Sequence, residues 1–409
     1  MSPSPIPFAT IGTSWITDSF IQCAHSTGLW QLVAIYSRNA DTAAAFAAKY
    51  NLQTSTSAYT SISALASNPS IRAVYIASPN SLHDQQARQF LDTAKTKKHL
   101  IIEKPATSNA AELEGLYALA DAHGVFLLEA YRHLHEANFH VLRDVALPKL
   151  GTLGAAAANA GGGGNDGSNV GSTVYGASLT YASYSSRYDK VLSGGPTPNI
   201  FSLDFSGGSL VDLGVYPISL AISLFGLPDH QTYTPIIIPS SSPSTSTSAS
   251  PPPHSSPRTS DLNTATATTT PKTAKQDPTP APAPAADGAG IINLYYPSFT
   301  ITINASKIYT STAPSEIYGP NGTVILNATT DIDRVDFLDA RTKKIQPLAV
   351  PRTQEQRKLN LAEEAAEFAR IITEKDTVAE AKLREVSLGT VKVTEDLRRQ
   401  NGLLFGVER

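Results

Sequence analysis

The sequence predicts a two-part α/β protein: a doubly wound, Rossmann-type parallel sheet, then an α+β unit on an open, mostly antiparallel sheet. Three observations support this. Apolar, β-branched runs alternate with helical patterns over the first third. After Glu129 that alternation gives way to strand patterns whose partners lie far apart in the chain. The length, 409 residues with 41% hydrophobic composition, suits two cores of about 100–200 residues each.

Taken in order, the candidate strands of the first unit (1–130) are Phe8–Ile11, Leu32–Tyr36, Ala73–Ala77, Leu100–Glu103 and Phe126–Glu129. They are nearly continuous in apolar residues, as strands covered on both faces are. Helical periodicity falls on Thr17–His25, Thr42–Tyr50, Asp84–Thr96 and Ala110–His123. Right-handed crossovers then place any ligand at the carboxyl ends of the strands. In the second unit (131–409), a helix over His135–Leu147 precedes strands at Tyr175–Ser183, Thr300–Ser306, Glu316–Tyr318, Thr323–Asn327 and Val335–Leu338. Helices Leu210–Phe225 and Leu361–Glu374 are expected on one face of that sheet, and an amphipathic helix, Glu380–Gln400, near the end. Two low-complexity stretches interrupt the unit, Gly/Ala/Asn-rich at 155–171 and Ser/Thr/Pro/Ala-rich without aromatics at 240–290. Neither can bury enough apolar surface to offset chain entropy, so both read as insertions.

Lys+Arg 32 against Asp+Glu 35 leaves a net charge of −3, which argues against a nucleic-acid partner. A single cysteine, Cys23, excludes an intrachain disulfide and suits a reducing compartment. No Lys or Arg precedes Arg38, so neither a secretory nor a mitochondrial leader is expected. The apolar stretch Leu213–Pro228 is shorter than the ~20 residues of a membrane helix and is broken by two prolines, so no membrane partner is expected. These observations together predict a cytoplasmic protein.

The first strand runs into Gly12-Thr13-Ser14-Trp15-Ile16-Thr17, in the place of a G-x-G-x-x-G/A dinucleotide turn. A helix N-terminus there would present amide donors to a pyrophosphate. The second strand ends Tyr36-Ser37-Arg38 where an NAD site would place an acid. An arginine and a hydroxyl suit the 2′-phosphate of NADP, although a solvated surface arginine would look the same. Ser78, Asn80 and His83 follow the Ala73–Ala77 strand, and Glu103-Lys104-Pro105 follow the next, all at the ligand-facing edge. A lysine directly after a buried strand is uncommon. Beside a cationic nicotinamide, burial would favour its neutral amine and let it shuttle a proton. A loop cap or a pair with Glu103 is the alternative. His133 and His135 lack further ligands at metal spacing, so no metal is expected.

Ala77-Ser78-Pro79-Asn80, Glu103-Lys104-Pro105, Glu129-Ala130 and Gly207-Gly208-Ser209-Leu210-Val211-Asp212-Leu213-Gly214-Val215-Tyr216-Pro217 together resemble the Gfo/Idh/MocA oxidoreductases, from Ile6 to about Val407 outside the insertions. The resemblance implies Lys104 as catalytic lysine, its bond to Pro105 often cis. Tyr216 would complete proton transfer, with Asp212 orienting from one turn earlier. Gly12, Ser14, Trp15, Ile16, Ser37, Arg38, Ser78, Asn80, His83, Glu103 and Lys104 would line an NADP site, with NAD possible. It further implies a sugar, polyol or cyclic diol as substrate, an aldose such as xylose or a trans-dihydrodiol being the nearest guesses. Arg187 and Tyr188 would contact the substrate, or else make a strand-end salt bridge. A homodimer or homotetramer joined through the open sheet is implied as well. A non-catalytic NAD(P)-binding sensor of the same fold is the alternative; such relatives tend to lose the lysine.

Overall fold

The computed structural model describes residues 4–93, 97–152, 173–238 and 286–409. Six parallel strands form the first sheet: β1 Ile6–Ile11, β2 Trp30–Tyr36, β3 Ala58–Tyr59, β4 Ala73–Ile76, β5 His99–Glu103 and β6 Leu127–Ala130. Their order, β3-β2-β1-β4-β5-β6, reverses between β1 and β4, which opens a crevice at the carboxyl ends of those two strands. Each crossover is locally specified. Helix Ala110–His123, for example, starts at Asn109, whose side chain accepts from the Glu112 amide, and stops at Gly124 with φ 62°. Two-residue β3 leaves no periodicity and was not expected. Helix His83–Thr93 begins one residue before the expected Asp84, and residues 94–96 lie outside the described residues.

Eight strands form the second sheet in the order β14-β13-β12-β11-β7-β10-β9-β8. These are β7 Gly176–Ala182, β8 His230–Ile237, β9 Asp287–Tyr295, β10 Thr300–Ser306, β11 Ser315–Gly319, β12 Gly322–Leu326, β13 Val335–Asp339 and β14 Ile345–Pro347. Only β7 and β10 run parallel; every other pairing is antiparallel. Strand β9 corrects one expectation, because residues 287–290, assigned to the second insertion, are a buried strand. Their small side chains are a packing requirement rather than low complexity: a Cβ on Gly290 would lie 2.4 Å from the Tyr233 ring. The other residues of that insertion, 240–285 apart from Ala286, and all of 155–171 lie outside the described residues.

A continuous helical run, Leu210–Phe225, covers the inner face of this sheet. It opens with a π turn, Leu210–Gly214, and continues as α-helix Val215–Phe225. Among the described residues, 203–225 is the one segment long and apolar enough to cross a bilayer, and 78% of its most apolar 18-residue stretch is buried inside the fold. Its apolarity is therefore core packing.

Helix Ala362–Glu374 corrects a second expectation. It packs on the first sheet, where Ala365, Phe368 and Ile372 join Phe8, Phe20 and Trp30 in one core, and Trp30 Nε1 donates to the Ala365 carbonyl at 2.8 Å. An apolar stripe dictates which helix face is buried but not which sheet buries it. The last long helix, Thr377–Gln400, serves both cores: Val391 packs with the first, Val393 and Leu397 with the second.

Candidate active site

Two chain segments meet above the carboxyl ends of the parallel strands. The first is the end of β5. Glu103 accepts from the buried Tyr75 hydroxyl, and a cis peptide joins Lys104 to Pro105. The second is the π turn. Asp287 at the foot of β9 caps it, its Oδ2 accepting from the Leu210 amide at 2.6 Å and from the Tyr233 hydroxyl at 2.7 Å. In the i→i+5 register of a π turn the donor for the Asp212 carbonyl would be residue 217. That residue is Pro217, which has no N–H. Lys104 takes its place.

Lys104 Nζ donates to the Asp212 carbonyl at 2.8 Å and to Asp212 Oδ1 at 2.9 Å, and lies 4.8 Å from the centre of the Tyr216 ring. Lys104, Asp212 and Tyr216 thus converge as expected. Burial alone would lower Lys104, but the Asp212 carboxylate outweighs it and holds the ammonium well above the usual lysine range. Burial would likewise raise Asp212; two ammonium groups instead hold it well below the carboxylate range. The second of these groups, Lys307 Nζ, sits 2.7 Å from Asp212 Oδ2. Tyr216 is fixed by edge-on rings of His133 at 5.2 Å and Tyr181 at 5.3 Å.

A cavity of about 240 Å³ opens beside this cluster, lined among others by Trp15, Ile16, Glu103, Lys104, Arg132, Tyr181, Asp212, Tyr216, Asn360 and Leu361. Arg132 is locked by a bidentate pair with Asp331, both bonds 2.6 Å. Sequence reasoning missed Arg132, Asn360 and Lys307. Two of them carried a signal: Arg132 closely follows β6, and Lys307 directly follows β10, just as Lys104 follows β5.

The dinucleotide turn fits its expected ligand. Gly12 has φ 107°, and a Cβ there would lie 2.7 Å from the Ala77 carbonyl oxygen, so β1 and β4 approach as closely as a pyrophosphate cradle needs. Ser14 stands at the N-cap of helix Trp15–Ser26 without making a side-chain cap, which leaves the first amides facing the crevice. Trp15, 71% exposed, overhangs the cavity. Ser37 and exposed Arg38 follow β2.

Other expected site residues are used differently. His83 is fully buried, its ring nitrogens 3.0 Å from the Pro105 carbonyl and 2.9 Å from the Ser78 carbonyl. It ties the β4 and β5 loops together and does not line the cavity. The Ser78 hydroxyl donates to Gln86, and the Asn80 amide donates across to the Ser206 carbonyl at 3.0 Å. Arg187 is exposed beside helix Tyr188–Leu192, and Tyr188 packs on Phe201 with ring centres 5.6 Å apart. Neither lines the cavity, because the Tyr188 ring is absorbed by a cluster with Ile200, Phe201 and Ile308.

A doubly wound sheet with this turn, facing a lysine, a carboxylate and a phenol across a cleft, defines a nicotinamide-dependent oxidoreductase. Residues 6–131 match the family described as "Oxidoreductase family, NAD-binding Rossmann fold", GFO_IDH_MocA. The chain is 33% identical over 404 residues to the scyllo-inositol 2-dehydrogenase (NADP(+)) IolU of Bacillus subtilis, covering 99% of both chains. It is 29% identical to the D-xylose 1-dehydrogenase (NADP(+)) 2 of Haloferax volcanii, over 54% of this chain and 58% of that one. In fold it is similar to the 3-ketoreductase KijD10 of Actinomadura kijaniata, solved with NADP and TDP-benzene: TM-score 0.66, 17% identity, 97% of each chain covered. The chain belongs to the Gfo/Idh/MocA family and is an NAD(P)-dependent oxidoreductase acting on CH–OH groups.

Proposed function

We propose that the protein is an NADP-dependent dehydrogenase of a cyclic polyol, with Lys104, Tyr216 and Asp212 handling the proton. The observation that carries this reading is the convergence of Lys104 and Tyr216, from the two sheets' elements, around one carboxylate. Among sugars, polyols and diols, a cyclic polyol is favoured because the likeness to a scyllo-inositol dehydrogenase runs the whole length, whereas that to a xylose dehydrogenase covers about half. Residues 1–130 serve as the dinucleotide-binding unit and 131–409 as the substrate unit, with helix Ala362–Glu374 contributed back to the first.

The Gly12–Ile16 turn would hold the pyrophosphate, Ser37 and Arg38 the 2′-phosphate, and Glu103 and Lys104 the nicotinamide end. NADP, when bound, supplies the hydride acceptor at the carbinol carbon. The protein's part is position and proton transfer. Lys104, kept charged by Asp212, donates a hydrogen bond to the substrate oxygen and stabilises negative charge that develops there. In the reductive direction this ammonium is the proton donor. In the oxidative direction its proton must leave first, and the adjacent Tyr216 hydroxyl relays it. Trp15 and Leu361 supply apolar lining beside these groups. A cytoplasmic homodimer or homotetramer completes the reading.

The test is a screen of purified protein with NADP and with NAD against inositols, aldoses and trans-diols, following absorbance of the reduced cofactor. Turnover of an inositol with NADP is the expected result. NADPH binding without turnover of any panel member would replace the enzyme by a cofactor-binding sensor.

A further inference from the structure

Lys307 carries a charge that the proposed chemistry does not require. It directly follows β10, is 2% exposed and takes no part in lining the cavity. Its ammonium is enclosed by Asp212 Oδ2 at 2.7 Å, the Ile200 carbonyl at 2.8 Å and the Phe201 ring, whose centre is 4.7 Å away. A buried ammonium is costly, and an apolar side chain of equal length would fill the same space with less desolvation. Its partner is the same carboxylate that binds Lys104. Asp212 therefore spends one oxygen on each lysine, which fixes its rotamer and leaves Lys104 only part of its charge.

We propose that Lys307 is a positioning residue that divides the Asp212 charge between two lysines and thereby keeps Lys104 able to release its proton during turnover. The proposal rests on the reading of Lys104 as a proton-transfer group. Besides Asp212 and Lys307, the groups facing Lys104 are Glu103 at the end of β5, Tyr216 one turn along the helix, and His133 from the turn after β6. Lys307 faces Asp212, Lys104 and Asp287. Burial pulls the Lys307 ammonium below the lysine range, and Asp212 opposes that pull. Removing the Lys307 charge deletes a like charge near Lys104 and frees Asp212 to hold it alone. Both changes make the Lys104 proton harder to lose.

The full-length Lys307→Met variant, isosteric but uncharged, tests this, with Lys307→Arg as the charge-retaining control. One measurement needs no substrate: trace acetylation of Lys104 by acetic anhydride over a neutral-to-alkaline pH series, read by mass spectrometry of its peptide. Lys307→Met should acetylate about tenfold more slowly at a given pH, its curve displaced upward by about one pH unit, while Lys307→Arg follows the wild type. Altered access would slow Lys307→Met and the differently shaped Lys307→Gln to different extents, whereas loss of the charge slows both alike. The rising limb of kcat/KM for NADP-dependent oxidation should move by the same amount, with KM for NADP unchanged. An undisplaced curve in folded Lys307→Met protein overturns the proposal; if that variant melts early, Lys307→Gln makes the same comparison. A displaced curve in a protein that turns over no substrate upholds the charge division and overturns the dehydrogenase reading instead.

Discussion

Strand β5 of the parallel sheet and strand β10 of the mixed sheet are each followed directly by a lysine, and both lysines bond the same carboxylate. The side chain of Lys104 is 10% exposed and reaches the cavity; that of Lys307 is 2% exposed and sealed behind it. Chemistry and partner are alike in the two regions. Access alone separates a group that can touch a substrate from one that can act only through another residue. The parallel sheet thus presents its lysine at the crevice that every doubly wound sheet opens, while the mixed sheet uses its lysine as support.

The largest effect that would sharpen this contrast is on the exposed member. Lys104→Ala should lower kcat/KM by about 10³-fold or more, within the range for a lost proton-transfer group, while NADPH fluorescence titration stays near wild type. A comparable loss of NADPH binding would make Lys104 a cofactor anchor. Next comes Tyr216→Phe, which keeps the ring packing against His133 and Tyr181 and removes only the hydroxyl. A loss of about 10²-fold in kcat is expected, and unchanged kcat would confine the relay to Lys104. Arg38→Asp tests the parallel sheet alone: the NADP-to-NAD ratio of kcat/KM should fall by about 10–100-fold, as for a lost charge-assisted bond. An unaltered ratio would remove Arg38 from the 2′-phosphate site.

A last effect is on stability, and concerns the core beneath Lys104. Burial pushes the Glu129 carboxyl up to about 7, and its Oε1 accepts from the Ala106 amide at 2.8 Å. An acid raised in the fold lowers stability as pH rises: the penalty is absent below its unfolded value of about 4.3, grows through the interval and is complete above about 7. Glu129→Gln should therefore gain about 2–3 kcal/mol at alkaline pH and nothing at strongly acid pH, by denaturant titration at both. An equal effect at both pH values would point to packing instead of charge.

Legibility in the sequence followed the same division. Parallel strands are covered on both faces, so β1, β2, β4, β5 and β6 appeared as apolar runs, and the residues at their carboxyl ends could be read directly. β8, His-Gln-Thr-Tyr-Thr-Pro-Ile-Ile, buries only Tyr233 and contains a proline, as an edge strand can, and so left no alternation to read. β9 begins in Asp-Gly-Ala-Gly, whose smallness imitates an insertion. Lys104, Asp212 and Tyr216 were recognised because their motifs are contiguous. Lys307 shares Lys104's position after a strand, but its partner lies 95 positions away (307 − 212), and no local pattern ties the two together. His83 shows the opposite case: its position after β4 is plain in the sequence, while the direction of its ring depends on two backbone carbonyls that only the fold supplies.

The Asp287 carboxylate at the root of the β8–β9 hairpin holds both the Tyr233 hydroxyl and the amide that starts the Asp212–Tyr216 helix. A shift of register between β8 and β9 would part Tyr233 from Asp287. Such a slip would reach the reacting groups through the Leu210 amide, so this edge of the mixed sheet steers the proton-handling carboxylate from a distance.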